Sequence, residues 1–271
     1  MALALAVSVS AGPRPPTGAA DELDPKFLAA VKAHAAPTDR LGRRLLAEYG
    51  AIYVCRAAGV QFPPSRFPDQ ATLARFQEAA HPTAIALGGT RIELQPAAAH
   101  ALEEAAAEAR KAHQTLRARG GPSAARRSLP EAISFWHKRI ENGLAHWTHA
   151  GKLTAARAAE LRGMPLDRQI EAVLEEEDRG LFFALSVDKT VLRSTAPPGS
   201  SQHHAMLALD VEEHESGAVR ALLARHGWFQ TVLSDLPHFT YLGAAEADLP
   251  ALGLARVEAE GRVWWLPARR Q

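Results

Sequence analysis

Ser201, His203, His204, Asp210, Asp235 and His238 gather side chains able to bind a metal ion or carry a proton in the C-terminal third of the chain. A hydrolytic zinc site needs three protein ligands in tetrahedral geometry and one open position. Two imidazoles and one carboxylate cut the charge of a divalent ion by a single unit, leaving enough to polarise a carbonyl and activate water. His203, Asp210 and His238 are the candidate ligands for one zinc per chain, with His204 a competitor for the place of His203. Asp235 is the candidate general base, taking the proton of the attacking water and passing it to the leaving group. Ser201 is read as positioning a substrate or a ligand, because no base-and-orienter arrangement accompanies it.

The local pattern says how these groups must be held. Leu207 to Val211 alternates like a strand, which aims Asp210 off one face. His203 lies seven residues earlier, an offset that would put the two side chains on opposite faces of a straight strand. A turn after His203 must therefore bring it back beside Asp210. Pro197-Pro198-Gly199 makes an irregular approach to it, and Pro237 favours an extended presentation of Asp235 and His238.

The segment APPGSSQHHAMLALDV (196–211) resembles the signature of the VanY-type D-alanyl-D-alanine carboxypeptidases, a family of zinc metallopeptidases. That signature is Ser-x-His-x-x-Gly-x-Ala-x-Asp, followed by acid-x-x-His. Ser201, His203, Ala208 and Asp210 match the first part, Asp235 and His238 the second, and Gly227-Trp228-Phe229 the element between them. The resemblance implies that His203, Asp210 and His238 bind zinc, that Asp235 is the catalytic acid/base and that the substrate is a peptidoglycan peptide containing D-amino acids. It also implies a substrate-anchoring arginine, for which Arg127 is the counterpart and Arg126 the competitor; Lys189 and Arg193 are further candidates. Met206 stands where the family has glycine, and Asp235 where many members have glutamate. The resemblance is specific over 196–244, looser over 90–195, and does not reach residues 1–80. Two alternatives stay open: an endopeptidase cutting within the stem peptide, as in phage endolysins, and an inactive wall-binding protein on the same fold.

The remaining elements set the fold class. Helical periodicity runs over 26–53, from Asp69 through Phe76, from Pro96 to about Arg117, from Pro130 through Leu144, over 154–178 and over 216–226. Two apolar runs around Gly88-Gly89 predict a hairpin, and FFALSV, LALDV, FTYLG and RVWWLP predict strands. Helices concentrated early and strands late predict an α+β fold. A single domain over 26–271 is expected, with 26–120 as a mostly helical wall and 121–271 as the zinc-site core, its antiparallel sheet carrying the metal. The acidic run 175–178 reads as a solvated helix end, His137, His146, His149, His214 and His226 as surface or helix-face residues, and Trp264-Trp265 as core.

With Lys plus Arg at 31 and Asp plus Glu at 30, the chain lacks the basic excess that nucleic acid would attract. Cys55 is the sole cysteine, which excludes an intrachain disulfide and a cysteine zinc cluster; its apolar neighbours make it a buried small hydrophobe. Residues 2–11 (ALALAVSVSA) read as a secretory-signal core without its basic leader, followed by a linker to residue 25, so a periplasmic or secreted location is expected. No run approaches the ~18 apolar residues of a membrane span.

Overall fold

The computed structural model describes residues 23–270; the apolar run 2–11 lies outside them. Its architecture is α+β, with helices surrounding small antiparallel sheets. The helical pattern over 26–53 resolves into α1 (Pro25–Val31) and α2 (Arg40–Tyr49), and a 3-10 turn follows α2. α3 (Gln70–Ala79) starts where Asp69 accepts a hydrogen bond from Thr72 N at 2.7 Å, satisfying a free donor of the first turn. The predicted hairpin is β1 (Thr83–Leu87) with β2 (Thr90–Leu94). α4 (Pro96–Lys111) carries proline in its first turn and buries an alanine-rich face against the hairpin and α8 (Gly217–Arg225).

Two differences from the sequence reading have physical causes. The periodicity over 154–178 is split into α6 (Ala155–Gly163) and α7 (Leu166–Asp178), because Pro165 cannot continue a helix and biases Met164 out of the helical region. FFALSV forms turns: the Phe183 N–H is taken by the Glu177 carboxylate, and its ring packs where Gly143 leaves room. A Cβ at Gly143 would lie 2.3 Å from the Phe183 ring, so glycine permits this approach. The helix expected from Pro130 through Leu144 is present and longer. The longest helix, α5 (Leu129–His149), begins just after Arg127 with a capping box between Ser128 and Glu131, inside the portion expected to be the zinc-site core.

The acidic run is also less solvated than expected, since Glu176 and Glu177 are each 3% exposed. Glu176 pairs with Arg157 and Arg179, while Glu177 accepts from Phe183 N, Val191 N and the Thr190 hydroxyl. His214 is buried as well, its ring bonded to the Val211 carbonyl. Cys55 is buried, which pushes its thiol up to about 11, and Trp264 and Trp265 lie in the interior.

Apolar burial falls into two main clusters. One unites the hairpin, α4, α8 and the C-terminal strands, including β6 (Leu254–Ala259) and β7 (Arg262–Pro267). The other packs α5, α6 and α7 against Leu45 and Tyr49 of α2. β3 (Ala208–Asp210), β5 (His238–Tyr241) and β4 (Trp228–Phe229) form a three-stranded sheet in the order β3-β5-β4 that carries the site, and its Leu209, Trp228, Phe229, Phe239 and Tyr241 belong to the first cluster. No helix among the described residues is long and apolar enough to cross a membrane.

Candidate metal centre

Asp210 on β3 stands directly opposite His238 on β5 in the antiparallel register. The adjacent pair is closed by Val211 N donating to Pro237 O at 2.9 Å, so Asp210 and His238 occupy a non-hydrogen-bonded pair, where side chains approach most closely. β3 is held on its other side by Arg119 N donating to Asp210 O at 2.8 Å.

His203 comes from a one-turn 3-10 helix, Gln202–Ala205, capped by Ser201, whose hydroxyl accepts from His203 N. The turn then reverses at Met206, which adopts φ 56° and ψ 34°. This left-handed conformation is rare for residues other than glycine, and it is where the sequence pattern required the chain to turn back. Met206 is fully buried. Buried glutamines brace the turn: Gln95 donates to Ala205 O at 2.8 Å and Gln77 donates to His204 O at 3.2 Å. On the approach, Gly199 has φ +91° and presses on Phe67, where a Cβ would meet the Phe67 carbonyl at 2.4 Å.

Three ligand atoms converge. His203 Nε2 lies 3.1 Å from His238 Nδ1 and 3.3 Å from Asp210 Oδ1, and His238 Nδ1 lies 3.4 Å from Asp210 Oδ1. Tetrahedral donors placed 2.0–2.1 Å from zinc stand about 3.3 Å from one another, so the triangle has the size a single such ion requires. This buried group can hold a metal ion.

The surroundings prepare each donor. Gln202 Oε1 accepts from His238 Nε2 at 2.8 Å, while the Gln202 amide nitrogen donates to Tyr49 O at 2.7 Å. That orientation puts the His238 proton on Nε2 and leaves the Nδ1 lone pair facing Asp210 and His203. Thr240 also donates to Gln202 Oε1, with Thr231 in hydrogen-bond contact behind it. Asp210 divides its two oxygens: Oδ1 faces the imidazoles and Oδ2 accepts from Arg127 Nη2 at 3.1 Å. Burial and the Arg127 charge lower His203 to about 3, so its ring is neutral, as a ligand must be. Burial pushes the Asp210 carboxyl up, but His203, His238 and Arg127 override it and hold it well below the usual range. His203 Nδ1 is buried without a hydrogen-bond partner among the described residues.

His204 points elsewhere. Its Nδ1 bonds to Arg127 O at 3.0 Å, and its ring meets Phe67 edge-on, so the competition with His203 is resolved for His203. Arg126 pairs with Glu93 and Gln77, away from the triad, while Arg127 lies against Asp210 and over the Phe135 ring. Lys189 donates to Ser234 O at 3.4 Å, beside Asp235, and Arg193 Nε is buried without a partner among the described residues. Asp235 is half-buried in the turn before β5. Burial and the Asp210 charge raise its carboxyl to about 6, against the opposing effects of His238, Arg127 and Arg139. The sequence reading did not single out Gln77, Gln95, Gln202 or Thr240. Of these only Gln202 carried any signal, its place beside His203 inside the matching segment.

No family model, curated protein or solved structure matches the chain.

Proposed function

We propose that the protein is a zinc peptidase that hydrolyses a D-amino-acid-containing peptide bond of peptidoglycan, as a D-alanyl-D-alanine carboxypeptidase. The observation that carries this reading is the His203–Asp210–His238 triangle, with separations of 3.1, 3.3 and 3.4 Å. Its donor set of two imidazoles and one carboxylate is that of hydrolytic zinc sites. Bound there, zinc supplies Lewis-acid polarisation of the scissile carbonyl and acidifies water.

The protein's own residues supply the rest. Asp235 accepts the proton of the attacking water and delivers it to the leaving amine; a carboxyl raised to about 6 is suited to both halves of that transfer near neutral pH. Arg127 fixes the outer oxygen of Asp210, leaving the inner one for the ion. Gln202 sets the His238 tautomer. Met206 supports an active protein over a degenerate copy, since it adopts the left-handed turn that a glycine at that place would provide.

Metal analysis of protein purified without added metal, beside His203→Ala and His238→Ala, tests the reading. About one zinc per chain in the wild type, lost in both variants, together with D-alanine release from pentapeptide muropeptides, is the expected result. A wild type that takes up no zinc on reconstitution would overturn it.

A further inference from the structure

Asp235 sits between two residues that are both tied to the β6–β7 hairpin. On one side, Ser234 Oγ donates to Glu260 Oε1 at 2.7 Å, at the tip of that hairpin. On the other, Gln230 Nε2 donates to Leu236 O at 2.5 Å, and Trp265 N of β7 donates to Gln230 O at 2.9 Å. Lys189 Nζ, from the segment after α7, donates to the Ser234 carbonyl at 3.4 Å. The turn that presents Asp235 is closed by its own N–H, which donates to Val232 O at 3.1 Å.

Both partners of the Ser234–Glu260 bond hold backbone conformations that glycine adopts more easily. Ser234 is the third residue of the 232–235 turn and has φ 66°, a place where glycine or asparagine is the ordinary choice. Glu260 and Gly261 have φ 54° and 69° and form the two-residue loop closed by Ala259 and Arg262. Positive φ at both central residues marks a type I′ hairpin turn, which favours asparagine, aspartate or glycine where this chain has glutamate. Turn chemistry therefore accounts for neither side chain, and backbone strain of this kind gathers at functional sites. The tip is also braced, since the buried Trp264 donates from Nε1 to Ala259 O at 3.1 Å. Together the two side chains give a fixed point one residue before the proposed base. A general base must lie within hydrogen-bond reach of its proton, and a small misplacement is costly in rate.

We infer that Glu260 is a positioning residue, which holds the Asp235 carboxylate in place through its hydrogen bond with Ser234. Lys189 is a second tie to the same residue. This rests on the peptidase reading and deepens it, because it extends the working site to the β6–β7 hairpin, beyond the 196–244 segment that carries the resemblance. The Ser234–Glu260 contact is open to water, so its loss slows proton transfer without abolishing it.

The test is steady-state release of D-alanine from a D-alanyl-D-alanine peptide by zinc-loaded wild type, Glu260→Gly and Glu260→Gln, each made also in an Asp235→Asn background. Thermal melting and zinc stoichiometry confirm that each protein is folded and loaded. Glu260→Gly eases the hairpin turn while removing the carboxylate, which separates positioning from stability. Its kcat should fall about tenfold with KM and zinc content unchanged, the loss of one hydrogen bond. Glu260→Gln, whose Oε1 can still accept from Ser234, should restore most of that rate. In the Asp235→Asn background Glu260→Gly should cost nothing more, because a positioning residue acts only through the group it positions. An unchanged kcat in Glu260→Gly, or the same tenfold loss in the Asp235→Asn background, overturns the assignment and leaves the peptidase reading standing. A folded, zinc-loaded wild type that releases no D-alanine overturns both.

Discussion

Gln202 and His238 are joined by a 2.8 Å hydrogen bond whose direction is fixed from behind, because the Gln202 amide nitrogen is held by the Tyr49 carbonyl. Such partners orient a ligand and set its basicity, and losing one weakens metal affinity by about 10- to 100-fold. Gln202→Leu keeps the approximate volume but removes both bonds. Zinc affinity measured by competition with a chromophoric chelator should fall within that range, and unchanged affinity would remove Gln202 from the metal site.

Met206 combines two opposed effects. Its left-handed backbone costs about 1–2 kcal/mol relative to glycine, whereas the loss of a fully buried methionine side chain costs about 2–5 kcal/mol. Packing wins, so Met206→Gly should be destabilised. Met206→Ala loses most of the packing and keeps the strain, so it should be less stable than Met206→Gly by about 1 kcal/mol, the reverse of the usual alanine-over-glycine order. Urea midpoints of the three proteins read this directly.

Replacing Asp235 with asparagine removes the proton acceptor while leaving the three ligands in place. Turnover of a D-alanyl-D-alanine peptide should drop about 100- to 10,000-fold, with zinc content unchanged. Loss of zinc together with activity would show that Asp235 holds the centre together and would remove its assignment as the base.

Glu177 gives a pH dependence separate from the metal site. Burial raises its carboxyl from 4.5 to about 7, opposed by hydrogen bonds from Thr190, Val191 and Phe183. The folded protein therefore binds this proton more tightly than the unfolded chain. The associated stability is complete below pH 4.5 and is lost as pH rises through 7, with a ceiling of roughly 3 kcal/mol. Glu177→Gln can keep Oε1 accepting from Phe183 N and Val191 N and turn its amide toward Thr190. Between pH 5 and 8 the wild type should lose stability relative to Glu177→Gln, as read by denaturant midpoints at each pH. Parallel curves would mean that Glu177 does not titrate there.

The triad was legible in the sequence chiefly because Ser201, His203, Ala208, Asp210, Asp235 and His238 match the spacing of the resembling family's signature; local rules added that Asp210 points off a strand face and that a turn must follow His203. The left-handed backbone at Met206 was signalled only by the glycine that the resembling family has at that place, since methionine itself carries no turn propensity. Glu176 and Glu177 were misread because the partners Arg157 and Thr190 lie 19 and 13 residues away, beyond helical periodicity, although Arg179 also meets Glu176 from three residues on. FFALSV looked like a strand by composition, yet Phe183 is recruited by Gly143 and Glu177, which no pattern within the segment announces. The split at Pro165 followed from the proline itself, although the apolar period runs on across it.

The pairing of Asp210 with His238 ties metal affinity to the zipping of a very short ladder. β3 has three residues, and a slip of one along β5 would turn His238 to the opposite face and dissolve the triad. If a metal ion binds this triad, only the correctly aligned chain can hold it, and binding and folding would be one linked equilibrium. Each tenfold excess of ion over its dissociation constant then adds about 1.4 kcal/mol in favour of that single alignment. An ion bound there would act as a clasp that selects a register, joining two segments that meet nowhere in the sequence.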